Sequence, residues 1–327
     1  MPTPEVGLHE RPRSLDSDRL FKGVTLAAGL LVLAILALIA GSMLQQAWPA
    51  LHHTGLDFVT SKRWVPNDPD GPGPLTAHFG ALAFVYGTVV ISIIALVFAV
   101  PVSVGIALFT TEVAPRRLRP TVITVIDLLA AVPSVVYGLW GIAVLAPNIQ
   151  PFYQHVANVV HPIPVLNTLF GDGAQGRSYM TAGLILAIMI TPIITSITRE
   201  VLVTVPSGEK QAALALGATR WEMIRGAVLP HSFGGIVGAV MLGLGRAMGE
   251  TIAVALVIGS SPQIVGNLFK PGDAMPSVII NLFGEAGGDF RSALIALGVL
   301  LFVLTIIVNV GARSIVERAE LRMRGAA

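Results

Sequence analysis

Long apolar runs separated by short polar segments are the dominant pattern of this chain. A run of about 20 mostly apolar residues is long enough to cross the hydrocarbon core of a bilayer. Six runs meet this condition, and they are predicted at 23–44, 83–110, 121–146, 179–197, 233–259 and 292–312. The pattern therefore predicts an all-α, polytopic membrane protein with about six transmembrane helices.

Composition supports a lipid environment for most of the chain. Of its 327 residues, 54% are hydrophobic and 12% are charged, whereas soluble domains usually carry about 25% charged residues. A soluble fold of this length could not cover its surface with so few charges. The chain has no cysteine, which excludes disulfides, thiolate metal sites and a thiol nucleophile, and its seven histidines show no metal-ligand spacing.

The basic residues between the apolar runs predict the orientation. Cytoplasmic segments carry an excess of Lys and Arg. One side of the predicted membrane has fifteen basic residues, namely Arg11, Arg13, Arg19, Lys22, Arg116, Arg117, Arg119, Arg199, Lys210, Arg220, Arg225, Arg313, Arg318, Arg322 and Arg324. The other side has five, namely Lys62, Arg63, Arg177, Lys270 and Arg291. Both termini are therefore predicted to be cytoplasmic.

The chain is predicted to divide into four parts. Residues 1–19 are polar and read as a disordered cytoplasmic tail, 20–80 hold the first transmembrane helix and an outer loop, 81–313 form the core, and 314–327 form a cytoplasmic C-terminal tail. The first apolar run, about 22 residues, exceeds the 7–15 of a signal peptide, so we expect a retained helix. The outer loops 48–78 and 147–178 are rich in turn-forming residues, with consecutive turns predicted at 67–72.

The segment 206–230, between the fourth and fifth runs, predicts two short helices joined by a tight turn. Pro206 can end the preceding helix, and Ser207 is a candidate N-cap for a new one. Gly217 suits a C′ position with positive φ. Thr219 followed three residues later by Glu222 is a capping-box pattern that begins the second helix. An amphipathic linker lying on the membrane surface is the alternative interpretation.

The spacing within this segment resembles the EAA loop of ABC-importer permeases. In that family Glu-Ala-Ala, three residues, Gly, nine residues and Ile-x-Leu-Pro follow one another. Here Gln211 stands in place of Glu and Ala227 in place of Ile. The residues that the resemblance assigns to ATPase coupling are Gln211, Ala212, Ala213, Gly217, Thr219, Glu222, Leu229 and Pro230. The chain has no G-x-x-x-x-G-K-[ST] phosphate loop, so any ATP must be bound by another chain.

Two charged residues lie within the fifth apolar run. Arg246 is about 20 Å along the predicted helix from Phe233, at 1.5 Å per residue, and a lone Arg at that depth costs a few kcal/mol. Glu250 is four residues further on, so the two are predicted to share a helical face and to pair. Gly243, Gly245 and Gly249 leave room for a neighbouring helix or a solute. The pair either pins helices together or lines an anion pathway.

Further motifs resemble the PstC-type permease family of phosphate ABC importers. They are GRAMGET at 245–251, FVT at 58–60 followed by Trp64 and Pro66, YGT at 86–88, and VPS at 132–134 with YG at 137–138. The resemblance implies an ABC type I importer permease fold and a channel-forming role that passes inorganic phosphate across a bacterial plasma membrane. It ties Arg246 and Glu250 to phosphate passage.

The same resemblance implies the partners of the chain. They are a second, PstA-like permease, a homodimeric PstB-like ATPase and an extracytoplasmic PstS-like phosphate-binding protein. ATP and magnesium would be bound by the ATPase, so no cofactor and no enzymatic activity are expected on this chain.

Several alternatives remain open at the level of sequence. The chain could be a permease for another oxyanion such as sulfate or molybdate, or the sister permease PstA. A secondary transporter would not need the docking loop, and an intramembrane hydrolase lacks a G-x-S-x-G elbow. Asp127 is a second candidate for the pathway. Pro101, Pro133 and Pro192 are expected to kink their helices.

Overall fold

The computed structural model describes residues 15–68 and 76–325. Residues 1–14 of the predicted disordered tail lie outside the described residues. Residues 15–19 are helical, so the predicted end of that tail at residue 19 was wrong. The last crossing ends at Ser314, and its helix continues through the predicted C-terminal tail, 314–327, to Gly325. The apolar runs mark the lipid-contacting part of each helix, and the helices continue past it because polar residues with good helix propensity follow.

Fourteen helices and two short strands make up the described part of the chain. The helices are α1 (Leu15–Thr54), α2 (Asp57–Thr60), α3 (Leu82–Leu108), α4 (Arg119–Ala131), α5 (Ser134–Trp140), α6 (Ala146–Val160), α7 (Pro164–Phe170), α8 (Tyr179–Val203), α9 (Ser207–Ala215), α10 (Arg220–Met223), α11 (Leu229–Gly249), α12 (Ile252–Val257), α13 (Met275–Leu282) and α14 (Gly288–Gly325). The strands are β1 (Trp64–Asp68) and β2 (Thr76–Phe79). Widened π-helical turns follow α3 at Phe109–Val113, α5 at Gly141–Leu145 and α10 at Ile224–Val228.

Six helical segments in the described part are long and apolar enough to cross a membrane. They are Arg19–Thr54, Leu82–Val113, Ser134–Val160, Tyr179–Val203, Arg220–Gly249 and Gly288–Ser314. The prediction of an all-α protein with six crossings is confirmed. The first crossing is the most exposed: Leu38, for example, is 73% accessible, as expected of a helix whose surface faces lipid.

The third crossing was predicted at 121–146, and this prediction was wrong. The structure divides that stretch into α4 and a separate crossing that starts at Ser134 and runs through α5 and α6. The chain is extended at Val132 (φ −66°, ψ 125°) and at Pro133 (φ −60°, ψ 142°). A residue before proline is pushed out of the α region by the proline ring, and the proline lacks an N–H. Pro133 therefore separates two helices instead of kinking one.

The outer loops contain more regular structure than their turn-rich sequences predicted. In the first loop, β1 and β2 pair as an antiparallel hairpin with Trp64 opposite Phe79. Asn67 and Asp68, predicted to form turns, belong to β1, and the remaining predicted turn residues, 69–72, lie outside the described residues. The second loop, 147–178, is mostly helical, since α6 continues to Val160 and α7 follows.

The core is built around α3 and α8, which carry buried apolar residues along their contact. Gly183 of α8 lies so close to α3 that a Cβ atom there would sit 2.4 Å from Cγ2 of Ile94. Ile190 and Ile194 of α8 are fully buried. A separate cluster joins α1 to α14 through Ala50 and Leu297. The first and last crossings therefore form one layer beside the α3–α8 core.

Hydrogen bonds fasten the outer segment 258–274 to the core helices. The Tyr86 hydroxyl of α3 donates to the Val265 carbonyl at 2.8 Å, and the Tyr179 hydroxyl of α8 donates to the Gln263 carbonyl at 2.9 Å. Asp273 is 5% exposed, and this burial raises the pKa of its carboxyl to about 6. Its Oδ1 accepts a hydrogen bond from the Ala274 amide. The segment that follows α12 is thus held in one conformation.

Candidate functional site

The fifth crossing is interrupted beside its charged residues. Helix α11 ends at Gly249, and Glu250 is extended (φ −71°, ψ 125°) before α12 begins at Ile252. Polar backbone groups freed by such a break are tolerated within a membrane only where protein surrounds them or where they line a water-filled cavity. The break therefore indicates a wet or protein-lined region at this position.

The predicted pairing of Arg246 with Glu250 was wrong. Since Glu250 lies past the end of α11, the two side chains do not share a helical face. Glu250 instead turns toward the start of α12, where its Oε1 accepts a hydrogen bond from the Ala253 amide at 3.4 Å. Within the described residues no carboxylate lies at ion-pair distance from Arg246. Arg246 is in the last turn of α11, where the partial negative charge of the helix terminus stabilises a cation.

Both charged residues nevertheless line one cavity, of about 700 Å³, between α8, α11 and α14. Asn309 of α14 adds a third polar side chain to its wall, and the remaining lining is apolar or glycine. Arg246 is exposed in the isolated chain and Glu250 is half-buried. The cavity thus presents an accessible guanidinium in largely apolar surroundings, which strengthen its attraction for an anion.

The three glycines around Arg246 have different roles. Gly243 is buried, and a Cβ there would lie 2.7 Å from Cδ1 of Ile194, so its small size permits close packing of α11 on α8. Gly245 and Gly249 have no atoms within 4 Å of a Cβ position, and both line the cavity. Sequence reasoning offered packing or free space as alternatives, and the structure contains both.

Asp127 does not contribute to this cavity. It is exposed on α4, and it is absent from the residues that line the Arg246 cavity. Pro101 and Pro192 lie inside α3 and α8.

The loop 206–230 has the turn that its sequence predicted. Gly217 has φ +88°, as expected at the end of a helix that closes with a left-handed residue. The Thr219 hydroxyl accepts a hydrogen bond from the Glu222 amide at 3.3 Å, and a Glu222 carboxylate oxygen accepts one from the Thr219 amide at 2.7 Å. The predicted capping box is therefore confirmed.

Two details of this loop differ from the prediction. The N-cap of α9 is Pro206, and Ser207 is its first helical residue. The second helix is not a separate short element, because α10, the π turn at Ile224–Val228 and α11 follow one another without a break from Arg220 to Gly249. Pro230 is tolerated because it lies in the first turn of α11, directly after the π turn, where the regular α-helical hydrogen-bond pattern is already interrupted.

Two polar side-chain contacts connect α9 to the membrane helices, the first of them an ion pair, and sequence reasoning did not find them. Lys210 Nζ lies 2.6 Å from Glu112 Oε1 in the π turn after α3, and both side chains are largely buried, with 21% and 9% exposed. Glu209 Oε2 lies 3.2 Å from His231 Nδ1 near the start of α11. The adjacent charged residues Glu209 and Lys210 were visible in the sequence. Their partners, His231 and Glu112, could not be assigned because other positions separate each pair in the chain.

The side of the loop that faces away from these contacts is exposed. Gln211 and Ala212 are exposed, while Ala213 packs against the cluster formed by Leu202, Val228 and their neighbours. Leu216 is 90% exposed and Trp221 is 63% exposed. Both large apolar side chains are therefore accessible at the turn between α9 and α10.

The Lys210–Glu112 pair gives a prediction about the loop. Lys210→Glu places two carboxylates in a largely buried position, and removing one partner of such a pair costs several kcal/mol. For the importer permease that the sequence motifs imply, we expect substrate uptake to fall at least tenfold. Adding Glu112→Lys restores the pair in reversed order, and uptake should recover to within about threefold of wild type. If the double variant is as defective as Lys210→Glu alone, the ion pair does not act as a connection.

Residues of the sequence motifs at 58–66 and 86–88 hold the outer segments of the chain in place. A Cβ at Gly87 would lie within van der Waals overlap of the Asp273 carbonyl, so only glycine fits there. Thr88 Oγ1 accepts a hydrogen bond from the Met275 amide at 3.0 Å. Trp64 packs edge-on against Phe79 and Phe84, with ring centroids 5.2 and 5.1 Å apart. These residues hold the outer hairpin and α13 against α3.

The crossings, the broken fifth helix and the protruding loop define the transmembrane permease subunit of an ABC importer. Solved structures have the same fold: a chain of a bacterial alginate ABC transporter aligns with TM-score 0.58 at 16% identity, covering 94% of this chain and 99% of that one. A chain of the MetNI methionine transporter aligns with TM-score 0.50 at 19% identity, covering 73% and 94%. Residues 99–321 match the family described as "Binding-protein-dependent transport system inner membrane component". The chain belongs to this family.

Three curated relatives are similar over almost the full length of both chains. "Phosphate transport system permease protein PstC" of Mesorhizobium japonicum is 45% identical, covering 94% of this chain and 92% of the relative. The protein of the same name from Haemophilus influenzae is 41% identical, covering 93% and 94%. "Phosphate transport system permease protein PstC 2" of Mycobacterium tuberculosis is 42% identical, covering 91% of each. The resemblance to PstC-type permeases inferred from motifs is confirmed.

Proposed function

We propose that this chain is the channel-forming permease subunit of an ATP-driven phosphate importer. It passes inorganic phosphate from a binding protein across the plasma membrane of a bacterium. The observation that carries the proposal is Arg246, an accessible guanidinium without a carboxylate partner in the described residues, in a cavity at an interrupted transmembrane helix. The relatives named for phosphate transport support the choice of anion.

The chemistry of the cavity suits a tetrahedral oxyanion. A guanidinium presents N–H groups in a planar fork that two oxygens of one phosphate can accept together. Glu250 lines the same cavity, and its negative charge opposes tight binding of an anion. A site in a conducting pathway must release its solute as well as attract it. A guanidinium with a carboxylate in the same cavity therefore suits a site through which an anion passes better than a site that binds an anion tightly.

The proposed complex needs three kinds of partner. A PstA-like permease would cover the open side of the Arg246 cavity, so that two chains enclose one pathway. A homodimeric PstB-like ATPase would receive α9 and the exposed Leu216 and Trp221, and ATP with magnesium would bind there and not to this chain. A PstS-like binding protein would deliver phosphate at the outer surface. This chain would carry out no hydrolytic step.

Uptake of labelled phosphate into proteoliposomes tests the proposal. The purified complex of this chain with its ATPase, sister permease and binding protein should import phosphate only when ATP is enclosed and binding protein is added outside. A hundredfold excess of sulfate or molybdate should leave uptake unchanged. Equal competition by sulfate would identify a permease for another oxyanion, and ATP-independent uptake by this chain alone would identify a secondary transporter.

A further inference from the structure

A second cavity lies between α3, α4 and α8, away from Arg246. Its volume is about 430 Å³. Except for Thr191, the side chains that line it are apolar, among them Phe98, Val102, Ile106, Ile126 and Leu129. Val102 and Leu129 are 52% and 42% exposed, so the cavity opens sideways toward the bilayer. We refer to it as the apolar groove.

A polar cavity of about 350 Å³ continues the apolar groove toward the cytoplasmic side. Both spaces are bordered by α4, by α8, and by α3 or the π turn that follows it, and Lys210 of α9 also lines the polar cavity. The lining passes from Ile106 of α3 in the groove to Thr110 of the π turn in the polar cavity, and on α4 it passes from Ile126 to Ile123. These steps of four and three residues correspond to about one helical turn each. The two spaces therefore follow one another along one surface.

The polar cavity has an excess of positive charge. Arg119, Arg199, Lys210 and Glu112 line it. Glu112 is neutralised by Lys210 at 2.6 Å, which leaves the two guanidinium groups. Arg119 donates from Nε to the Ala114 carbonyl at 2.9 Å, an arrangement that leaves its terminal N–H groups available. Within the described residues Arg199 has no ion-pair partner.

The dimensions match one leaflet. Phe98 of α3, at the far end of the groove, and Thr110 of the following π turn, in the polar cavity, are twelve residues apart, which corresponds to about 18 Å. Half of the hydrocarbon core measures about 15 Å. An amphiphile with an anionic headgroup in the polar cavity would thus have its acyl chain along the groove at the depth of the cytoplasmic leaflet.

We propose that the polar cavity and the apolar groove together bind one anionic phospholipid of the cytoplasmic leaflet. Arg119 and Arg199 hold the headgroup phosphate, and the groove holds an acyl chain. Charge complementarity selects this occupant: basic pockets between transmembrane helices at the cytoplasmic surface attract acidic lipids. The proposal concerns a surface separate from the Arg246 cavity and does not depend on which anion is transported.

The first test measures lipids that co-purify with the assembled transporter from an equal mixture of phosphatidylglycerol and phosphatidylcholine. Wild type should be enriched in phosphatidylglycerol, and Arg119→Gln with Arg199→Gln should lower the enrichment about tenfold or more. The matched control is Arg116→Gln with Arg117→Gln, which removes two exposed charges that do not line the cavity and should preserve the enrichment. Equal loss in both double variants, or none in the first, would overturn the proposal.

A second test keeps all the charges and identifies the occupant of the groove. Because the chain has no cysteine, Val102→Cys can carry a photoreactive benzophenone at a unique position. We expect adducts with phosphatidylglycerol in excess of its share of the bilayer, unchanged by millimolar inorganic phosphate. Val97→Cys, exposed on the same helix but outside the groove, should give adducts in the bulk ratio. Cross-linking of position 102 to a protein chain, or loss of the adduct with inorganic phosphate, would refute lipid binding.

Discussion

Arg246→Gln is expected to lower phosphate uptake by roughly ten- to a hundredfold while the complex still assembles. A hydrogen bond to a charged group contributes about 1.5–3 kcal/mol, and each 1.4 kcal/mol changes an equilibrium tenfold. The substitution removes the charge that attracts the anion and leaves a shorter, neutral polar side chain. Since Arg246 is exposed and has no ion-pair partner in the described residues, its loss leaves no buried carboxylate behind, and folding should be unaffected.

Two further variants separate the pathway role from a structural one. Arg246→Lys keeps the charge but loses the fork, so it should retain a fraction of uptake between wild type and Arg246→Gln. Arg313→Gln removes an exposed charge elsewhere and should transport normally. Labelled phosphate uptake is measured beside ATP hydrolysis stimulated by the binding protein. Normal uptake by Arg246→Gln would contradict the pathway role, whereas failure to assemble would assign Arg246 to structure.

Gly217→Val is expected to disconnect ATP hydrolysis from transport. Gly217 has φ +88°, a conformation that a β-branched residue adopts at a cost of about 1–3 kcal/mol. No atom lies within 4 Å of the position where a Cβ would be placed, so the cost comes from the backbone and not from a clash. If α9 docks on the ATPase as proposed, a change in its orientation should lower uptake roughly tenfold or more, with less effect on basal ATP hydrolysis.

Other glycines of the same region provide the controls. Gly226 also has open space around its Cβ position but no positive φ, so Gly226→Val should transport nearly normally. Asn tolerates the left-handed conformation better than other residues, and Gly217→Asn should recover most of the lost uptake. A defect of the same size in Gly226→Val and Gly217→Val would show that the left-handed turn is not the cause.

Local rules predicted the loop 206–230 well. Positive φ at Gly217 and the reciprocal bonds between Thr219 and Glu222 depend on residues only a few positions apart. The number of crossings was also predictable, because lipid requires a continuous apolar run for each helix. In both cases the physical cause lies within one short segment of the chain.

Features that depend on distant contacts were missed. Helix α12 packs closely on α5, where a Cβ at Gly138 would lie 2.9 Å from Cα of Ala253, and these residues are far apart in the sequence. The pairing of Lys210 with Glu112 joins residues 98 positions apart. The hairpin of β1 and β2 depends on Trp64 finding an aromatic cluster formed by other segments. The periodicity of apolar residues and the spacing of motifs do not indicate which distant segments will be in contact.

The uninterrupted path from α10 through the π turn into α11 has a mechanical consequence. Arg220, beside the loop that is proposed to meet the ATPase, and Arg246 lie on one continuous helical segment, about 39 Å apart at 1.5 Å per residue. If this segment moves as one body, a tilt of about 5° around either end displaces the other end by about 3 Å. Such a tilt would move the guanidinium by roughly the length of a hydrogen bond. In the proposed complex the helix would then act as a lever arm between the loop and the cavity.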